Sequence, residues 1–180
     1  DLVEKQINGA YPPATIKEVD EINIFNEDGR VSFAALKLDK PSYYPIQIYK
    51  DLPTDGLSLI TSALSKMQSG EGGILQILIQ PTGKRWQKKG RGYMSKEKKR
   101  EADPDQASYK HDPKEMEAIS DKVSRPGFRV SLRMVVSAPN EAAAESHLNN
   151  ITGAFSQFTS AYNSFKKAKT LIKHLFMIDF

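Results

Sequence analysis

Phe128, Val130, Leu132, Met134 and Val136 alternate with Arg129, Ser131 and Arg133, the period-two signature of a strand with one buried face. A turn at Ala138-Pro139 follows, and Asn140 is placed to cap a helix. Ala144, Leu148, Ile151, Phe155 and Phe158 then recur at helical spacing, so residues 141–158 form a helix with a single apolar stripe. A one-faced strand joined by a tight turn to a one-striped helix buries both surfaces only if the helix folds back on the sheet.

Upstream, Leu2, Val3, Gln6, Ile7 and Ala10 predict a helix over residues 2–11, stopped by Pro12-Pro13. Residues 15–25 alternate imperfectly and read as a strand. Asn26-Glu27-Asp28-Gly29 reads as a hairpin turn, its Asp-Gly pair supplying positive φ, and residues 31–38 return as a second strand. Residues 46–49 form a short strand, and Pro53-Thr54-Asp55 starts a helix lined by Leu57, Ile60, Leu64 and Met67, with Gly70 as its stop. Leu75, Ile77 and Ile79 face one way on the strand over 74–80, Gln76 and Gln80 the other, and Pro81 closes it. Residues 113–123 make a helix capped by Asp112 with Met116, Ile119 and Val123 together. A last short strand is expected over 164–169.

Strand 46–49, helix 55–68, strands 74–80 and 128–136, helix 141–158 and strand 164–169 spell β-α-β-β-α-β. That is an α+β fold of the ferredoxin-like split β-α-β plan, an antiparallel sheet with its helices on one face. Residues 41–180 are then one domain with a basic insertion at 83–124. Residues 1–40 are an α-β-β piece of a similar unit truncated upstream. Both ends look cut, since Asp1 opens inside a helical pattern and residues 173–180 stop in an apolar stretch.

Charge changes this picture in one place. Residues 84–100 hold nine Lys/Arg against one acid, Glu97, hence +8, so the remainder of a +4 chain sums to −4. Over residues 84–111 glycine, charge and one Trp predict an exposed, partly helical and mobile excursion. No stretch approaches the length of a membrane span, and the absence of cysteine removes disulfides and thiolate metal sites.

Catalytic chemistry finds no constellation. Gly83-Lys84 follows an apolar strand as in a phosphate-binding loop, but Leu78 stands at the first glycine position and Arg85 at the Ser/Thr position. His111, His147 and His174 are far apart and lack metal-ligand spacing. No serine sits in a nucleophile elbow. What remains is Lys84, Arg85, Trp86, Lys88, Lys89, Arg91 and Tyr93, cations interleaved with aromatics as in a nucleic-acid-binding arm. The alternative is a solvated loop with Trp86 tucked against the sheet edge. Arg129 and Arg133 share the open sheet face with Gln76, Gln80 and Ser131; that face lacks the aromatic run of an RNA-recognition motif. The Arg pair is suited to phosphate or to a covering domain.

Several runs together resemble a known family: Tyr43-Tyr44-Pro45-Ile46, Asp55-Gly56-Leu57, Gly70-Glu71-Gly72 leading to Leu75 through Pro81, Lys84-Arg85-Trp86-Gln87-Lys88-Lys89-Gly90, Val135 through Pro139, Leu148-Asn149-Asn150, Gly153 through Phe158, and Asn163 through Lys166. They are similar to the region preceding the motor in type IV secretion and conjugation ATPases, relatives of coupling proteins and HerA/FtsK-like translocases common in small-genome bacteria. The resemblance implies a hexameric pump for DNA or protein at the cytoplasmic face of the inner membrane, partnered by secretion-channel or membrane proteins. This chain carries no Walker motif, so the resemblance implies a non-catalytic accessory domain for assembly, channel docking or substrate guidance. It implies no cofactor here, with ATP and Mg²⁺ confined to a downstream motor. The alternative reading is a nucleic-acid-binding module using residues 84–100.

Overall fold

Strand β3 (Phe128–Ala138) forms where the alternation predicts it, and it is the strand on which two others register. The structure, a computed structural model, describes residues 2–17, 19–53, 55–106 and 108–168. On one side β3 pairs antiparallel with β2 (Gly72–Pro81), from Gly72 opposite Ser137 to Pro81 opposite Phe128. On the other it pairs antiparallel with β1 (Arg30–Leu38), from Arg30 opposite Ala138 to Leu36 opposite Leu132. Strand β4 (Phe165–Lys167) adds antiparallel to β1, giving the order β2-β3-β1-β4. With helices α2 (Ser58–Ser65) and α5 (Glu141–Ala154) as crossovers, this is the split β-α-β plan of an α+β fold.

The core lies between this sheet and the two helices. Ala34, Leu132, Met134, Val136 and Ala138 meet Ile60 and Ala63 of α2 and Ala144, Leu148 and Ile151 of α5. Met134, Val136, Ala144 and Ile151 have no exposed surface. Asn140 caps α5 as predicted, its side chain accepting from the Ala143 N–H at 2.9 Å. The last turn of the predicted helix tightens into a 3₁₀ turn, Phe155–Phe158, whose Phe155 closes the core. On the opposite sheet face Gln76 lies across from Arg133 and Gln80 from Arg129, as the alternation requires.

The plan is right, but its first strand is not 46–49. Residues 46–48 are irregular and lead into a 3₁₀ turn, Tyr49–Asp51; Pro45 and Pro53 bracket a stretch too short to pair. Strand β1, from the piece expected to stand apart as residues 1–40, takes the slot. One edge of β1 is taken by β3 and the other pairs with β4 only over Leu36–Leu38; no strand forms over 15–25, where the described residues are irregular. The segment serves otherwise: Ile24 packs against Gly72, and Asn26 Nδ2 donates to the Gly70 carbonyl at 2.6 Å. The 26–29 turn closes by Gly29 N–H donating to the Asn26 carbonyl at 3.0 Å; Gly29 does not adopt positive φ, which among the described residues falls to Gly70. Helix α1 (Leu2–Ala10) forms with every residue exposed. Asp1, Thr54, the end of the expected strand at Lys169 and the apolar stretch 173–180 lie outside the described residues. Among the described residues no helix is long and apolar enough to cross a membrane.

Truncating Met134, at the centre of the sheet with no exposed surface, should cost about 2–5 kcal/mol in urea unfolding. Val130 lies on the same strand and face but is 49% exposed, so Val130→Ala should cost less than about 1 kcal/mol. Equal losses at the two positions would show that the core extends beyond the helices.

Candidate nucleic-acid interface

The insertion between β2 and β3 is a helical hairpin, and the helical part expected within residues 84–111 is its first arm. Helix α3 (Arg85–Glu101) runs through most of the basic segment and packs on α4 (Pro113–Ser124). Its buried side is polar, which is why no apolar stripe announced it: Gln87, Gly90 and Glu97 are the buried residues. Each is satisfied or fitted. Gln87 Nε2 donates to the carbonyls of Val123 at 3.1 Å and Arg125 at 2.7 Å, and the buried Glu97 carboxylate accepts from the Tyr109 hydroxyl. At Gly90 an added Cβ would stand 2.7 Å from Val123 Cγ1 and 2.8 Å from Tyr43 Cβ, so only glycine allows this approach. Helix α4 begins as predicted, with Asp112 accepting from the Lys114 N–H at 2.9 Å and Pro113 in the first turn. Its stripe of Met116, Ile119 and Val123 is buried beneath the hairpin.

A tyrosine cluster ties the hairpin to the loop after β1. Tyr93 stacks on Tyr43 with centroids 5.3 Å apart, meets Tyr44 edge-on at 5.6 Å, and donates to Glu115 Oε1 at 2.7 Å. Burial first, then its hydrogen bonds to Tyr44 and Glu115, push the Tyr93 phenol well above its usual range. Tyr93 is thereby structural; it does not join the surface on which it was expected.

The charges sort themselves around α3. Lys84, Arg85, Lys88, Lys89, Arg91, Lys96, Lys98, Lys99 and Arg100 are all exposed, whereas Glu97 is buried and Glu101 half-buried beside His111. The helix thus turns its cations outward and its acids inward. Lys98, Lys99 and Arg100 also occupy the last turn, where the helix dipole favours them.

Two grooves flank this arc. One, of about 640 Å³, runs between α3 and α4 and takes Arg91, Lys98 and Lys99. The other, of about 680 Å³, lies where α3 begins, α4 ends and β3 starts, closed by residues of the 38–48 loop. Leu38, Ile46, Ile48, Trp86 and Phe128 give it apolar walls; Arg85, Lys89, Lys122, Arg125 and Arg129 give it charge. Trp86 is half-buried against Gly127, where a Cβ would come within 2.7 Å of the indole ring. The one carboxylate in the lining, Asp121, is engaged by Arg125 Nη2 at 3.0 Å. Lys122 donates to the Tyr44 carbonyl at 2.9 Å, and burial lowers its amine to a pKa of about 8.

Of the residues singled out from sequence, Arg85, Trp86, Lys89 and Arg129 therefore converge on one cleft. Lys84 and Lys88 sit on the exposed arc, and Arg91 turns to the other flank, its Nη2 donating to the Val123 carbonyl at 3.4 Å. Arg133 stays on the open sheet face beside Ser131, its Nε donating to Oγ at 3.3 Å, away from the hairpin. Sequence reading missed Lys122, Arg125 and Phe128 as members of the cleft. The signal lay in Lys122 beside the α4 stripe and in the Arg125-Pro126-Gly127-Phe128 run that ends it. Among the described residues no group of His, Cys, Asp or Glu has the arrangement of a metal site. His147, read as a flank residue, pairs through Nε2 with Glu71 Oε2 at 2.9 Å.

The model of a domain of unknown function, DUF8128, matches residues 1–167, and the chain belongs to that family. No curated protein and no solved structure matches it.

Lys122 gives the fold a pH signature. Its folded pKa of about 8 lies below the unfolded value of 10.5, so between these the unfolded chain binds more protons and stability rises with pH. Tyr43 and Tyr93 are raised from 10.0, which opposes this only above about pH 10. Urea unfolding of the native chain and Lys122→Met between pH 7 and about 10 should therefore show the native chain gaining on the variant from about pH 8 upward. Parallel curves would mean that the amine is not desolvated.

Proposed function

We propose that this DUF8128 member is a non-catalytic accessory domain of a type IV secretion or conjugative DNA-transfer ATPase, and that it grips nucleic acid with the outward arc of α3. The observation that carries the reading is the sorting of charge on that helix: eight exposed cations and a ninth, Lys84, at its N-cap, with the acids turned into the hairpin. Phosphate backbones are bound by such arrays, because each Lys or Arg that neutralises a phosphate releases a condensed counterion. At 17 residues α3 is about 25 Å long, enough to follow several consecutive phosphates. Gln87 ties α3 to the end of α4, and the Tyr43-Tyr44-Tyr93 cluster and Lys122 fasten the hairpin to the fold, so the cations are presented on a packed element. The resemblance supplies the setting: the cytoplasmic face of the inner membrane, secretion-channel or membrane proteins as neighbours, and a hexamer whose separate motor takes ATP and Mg²⁺.

In a salt titration, duplex DNA affinity should fall steeply, log K against log salt having a negative slope of about 0.9 per phosphate neutralised. Replacing Lys88 and Lys99 together by Ala should flatten that slope by roughly 1.8. Absence of binding at about 50 mM salt would overturn the nucleic-acid reading. The chain by itself should hydrolyse no ATP, and turnover abolished by chelating Mg²⁺ would overturn the accessory assignment.

A further inference from the structure

We infer that the cleft at the stem of the hairpin receives one unstacked base of a single strand, so that the domain takes single-stranded nucleic acid in preference to duplex. This rests on the nucleic-acid reading of α3 and adds to it a substrate class. The volume of about 680 Å³ lies within the range of small-molecule sites, about 300–1,000 Å³. Its lining is of two kinds. Trp86, Phe128, Ile46, Ile48 and Leu38 offer flat and aliphatic surface, and Arg85, Lys89 and Arg129 offer charge beside it. An inorganic anion gives no reason for the first set; an apolar ligand gives none for the second. A nucleotide unit, a flat aromatic ring carrying phosphate on either side, uses both.

The cleft is also cleared of groups that would repel an anion. The carbonyls at the end of α4 are the natural opponents, and Gln87 Nε2 occupies those of Val123 and Arg125. Lys122 occupies the Tyr44 carbonyl, and Arg125 holds the Asp121 carboxylate at 3.0 and 3.2 Å. Access is continuous, because Arg85 and Lys89 belong at once to the outward arc and to the cleft wall. A strand following α3 by its phosphates arrives at Trp86 without crossing uncharged surface. A duplex can follow the same arc, but its bases stay stacked inside it and leave the cleft empty.

Trp86 is the chain's one tryptophan and reports directly on the cleft. Its emission should be followed while the native chain is titrated with a thymidine oligonucleotide, a blunt duplex carrying the same number of phosphates, and thymidine monophosphate. The oligonucleotide should quench Trp86 and bind about tenfold more tightly than the duplex, the gain expected from one stacked base. Phe128 is 62% exposed, so Phe128→Ala should leave the fold intact and lower oligonucleotide affinity roughly five- to hundredfold. Its duplex affinity and salt slope should stay unchanged. Equal affinities with unmoved emission and a surviving salt slope would overturn the cleft inference while α3 still binds phosphate. Quenching by the monophosphate at the oligonucleotide's own concentration would overturn it in favour of a free nucleotide. Loss of all nucleic-acid binding would overturn this inference and the reading of α3 together.

Discussion

The unbroken ladder between β2 and β3 is the constraint from which the rest of the molecule follows. Pro81 ends one strand directly opposite Phe128, which begins the other. Everything between them is therefore a closed excursion whose two ends are fixed a strand's width apart. The start of α3 and the end of α4 must meet at that stem, and the cleft forms there because two helix termini and the 38–48 loop cannot fill the corner completely. Closing an excursion of this length costs entropy, but the cost grows only logarithmically with loop length. The hairpin offsets it with its own small core of Met116, Ile119 and Val123. Sheet and hairpin are thus separately packed and joined through the stem, where Tyr43 and Tyr44 meet Tyr93.

A helix with eight cations on its surface repels itself, and its burial must be strong enough to hold it. The hairpin answers with polar contacts. Gln87, one of the few buried polar side chains, reaches two carbonyls at once, and Glu97 is matched by the Tyr109 hydroxyl while Arg100 lies over that tyrosine's ring at 3.9 Å. These contacts cost little when satisfied and much when broken, so they specify one packing of α3 more sharply than an interchangeable aliphatic stripe would. The same arrangement sets the charge distribution. An inward Glu97 leaves the outward surface of α3 to its cations.

Where a pattern was local, the sequence could be read: the alternation of β3, the Asn140 cap and the α5 stripe each depend on residues a few positions apart. Where the outcome depended on a distant competitor, it could not. Residues 15–25 and 46–49 have passable strand patterns, but a strand exists only where a neighbour pairs with it, and β1 takes its partners, β3 and β4, from far along the chain. Helix α3 was obscure for another reason. Its buried face is Gln87, Gly90 and Glu97, and hydropathy does not register a face held by hydrogen bonds and a close approach. The cleft was half legible. The cations and Trp86 stood out in one run, whereas Lys122, Arg125 and Phe128 come to it through the pairing of Pro81 with Phe128.

The separation of charge gives the fold a direction. Residues 84–100 carry +8, and residues 101–124, the rest of the same hairpin, carry −4, so the separation of charge lies within the hairpin of a basic protein of pI about 9.1. On the proposed reading, a polyanion approaching from solution is drawn to the outward arc of α3, the cationic part of the hairpin. Within about 10 Å at ordinary salt that field is screened, and the short-range surface decides what stays. On the proposed reading the aromatic cleft and the outward arc differ in kind there: the arc takes any phosphate chain, while the cleft takes a flat, unstacked ring. On that reading affinity and selectivity fall to different residues on one helix, Lys88 and Lys99 on the open arc and Trp86 at the stem, so that each can change without the other.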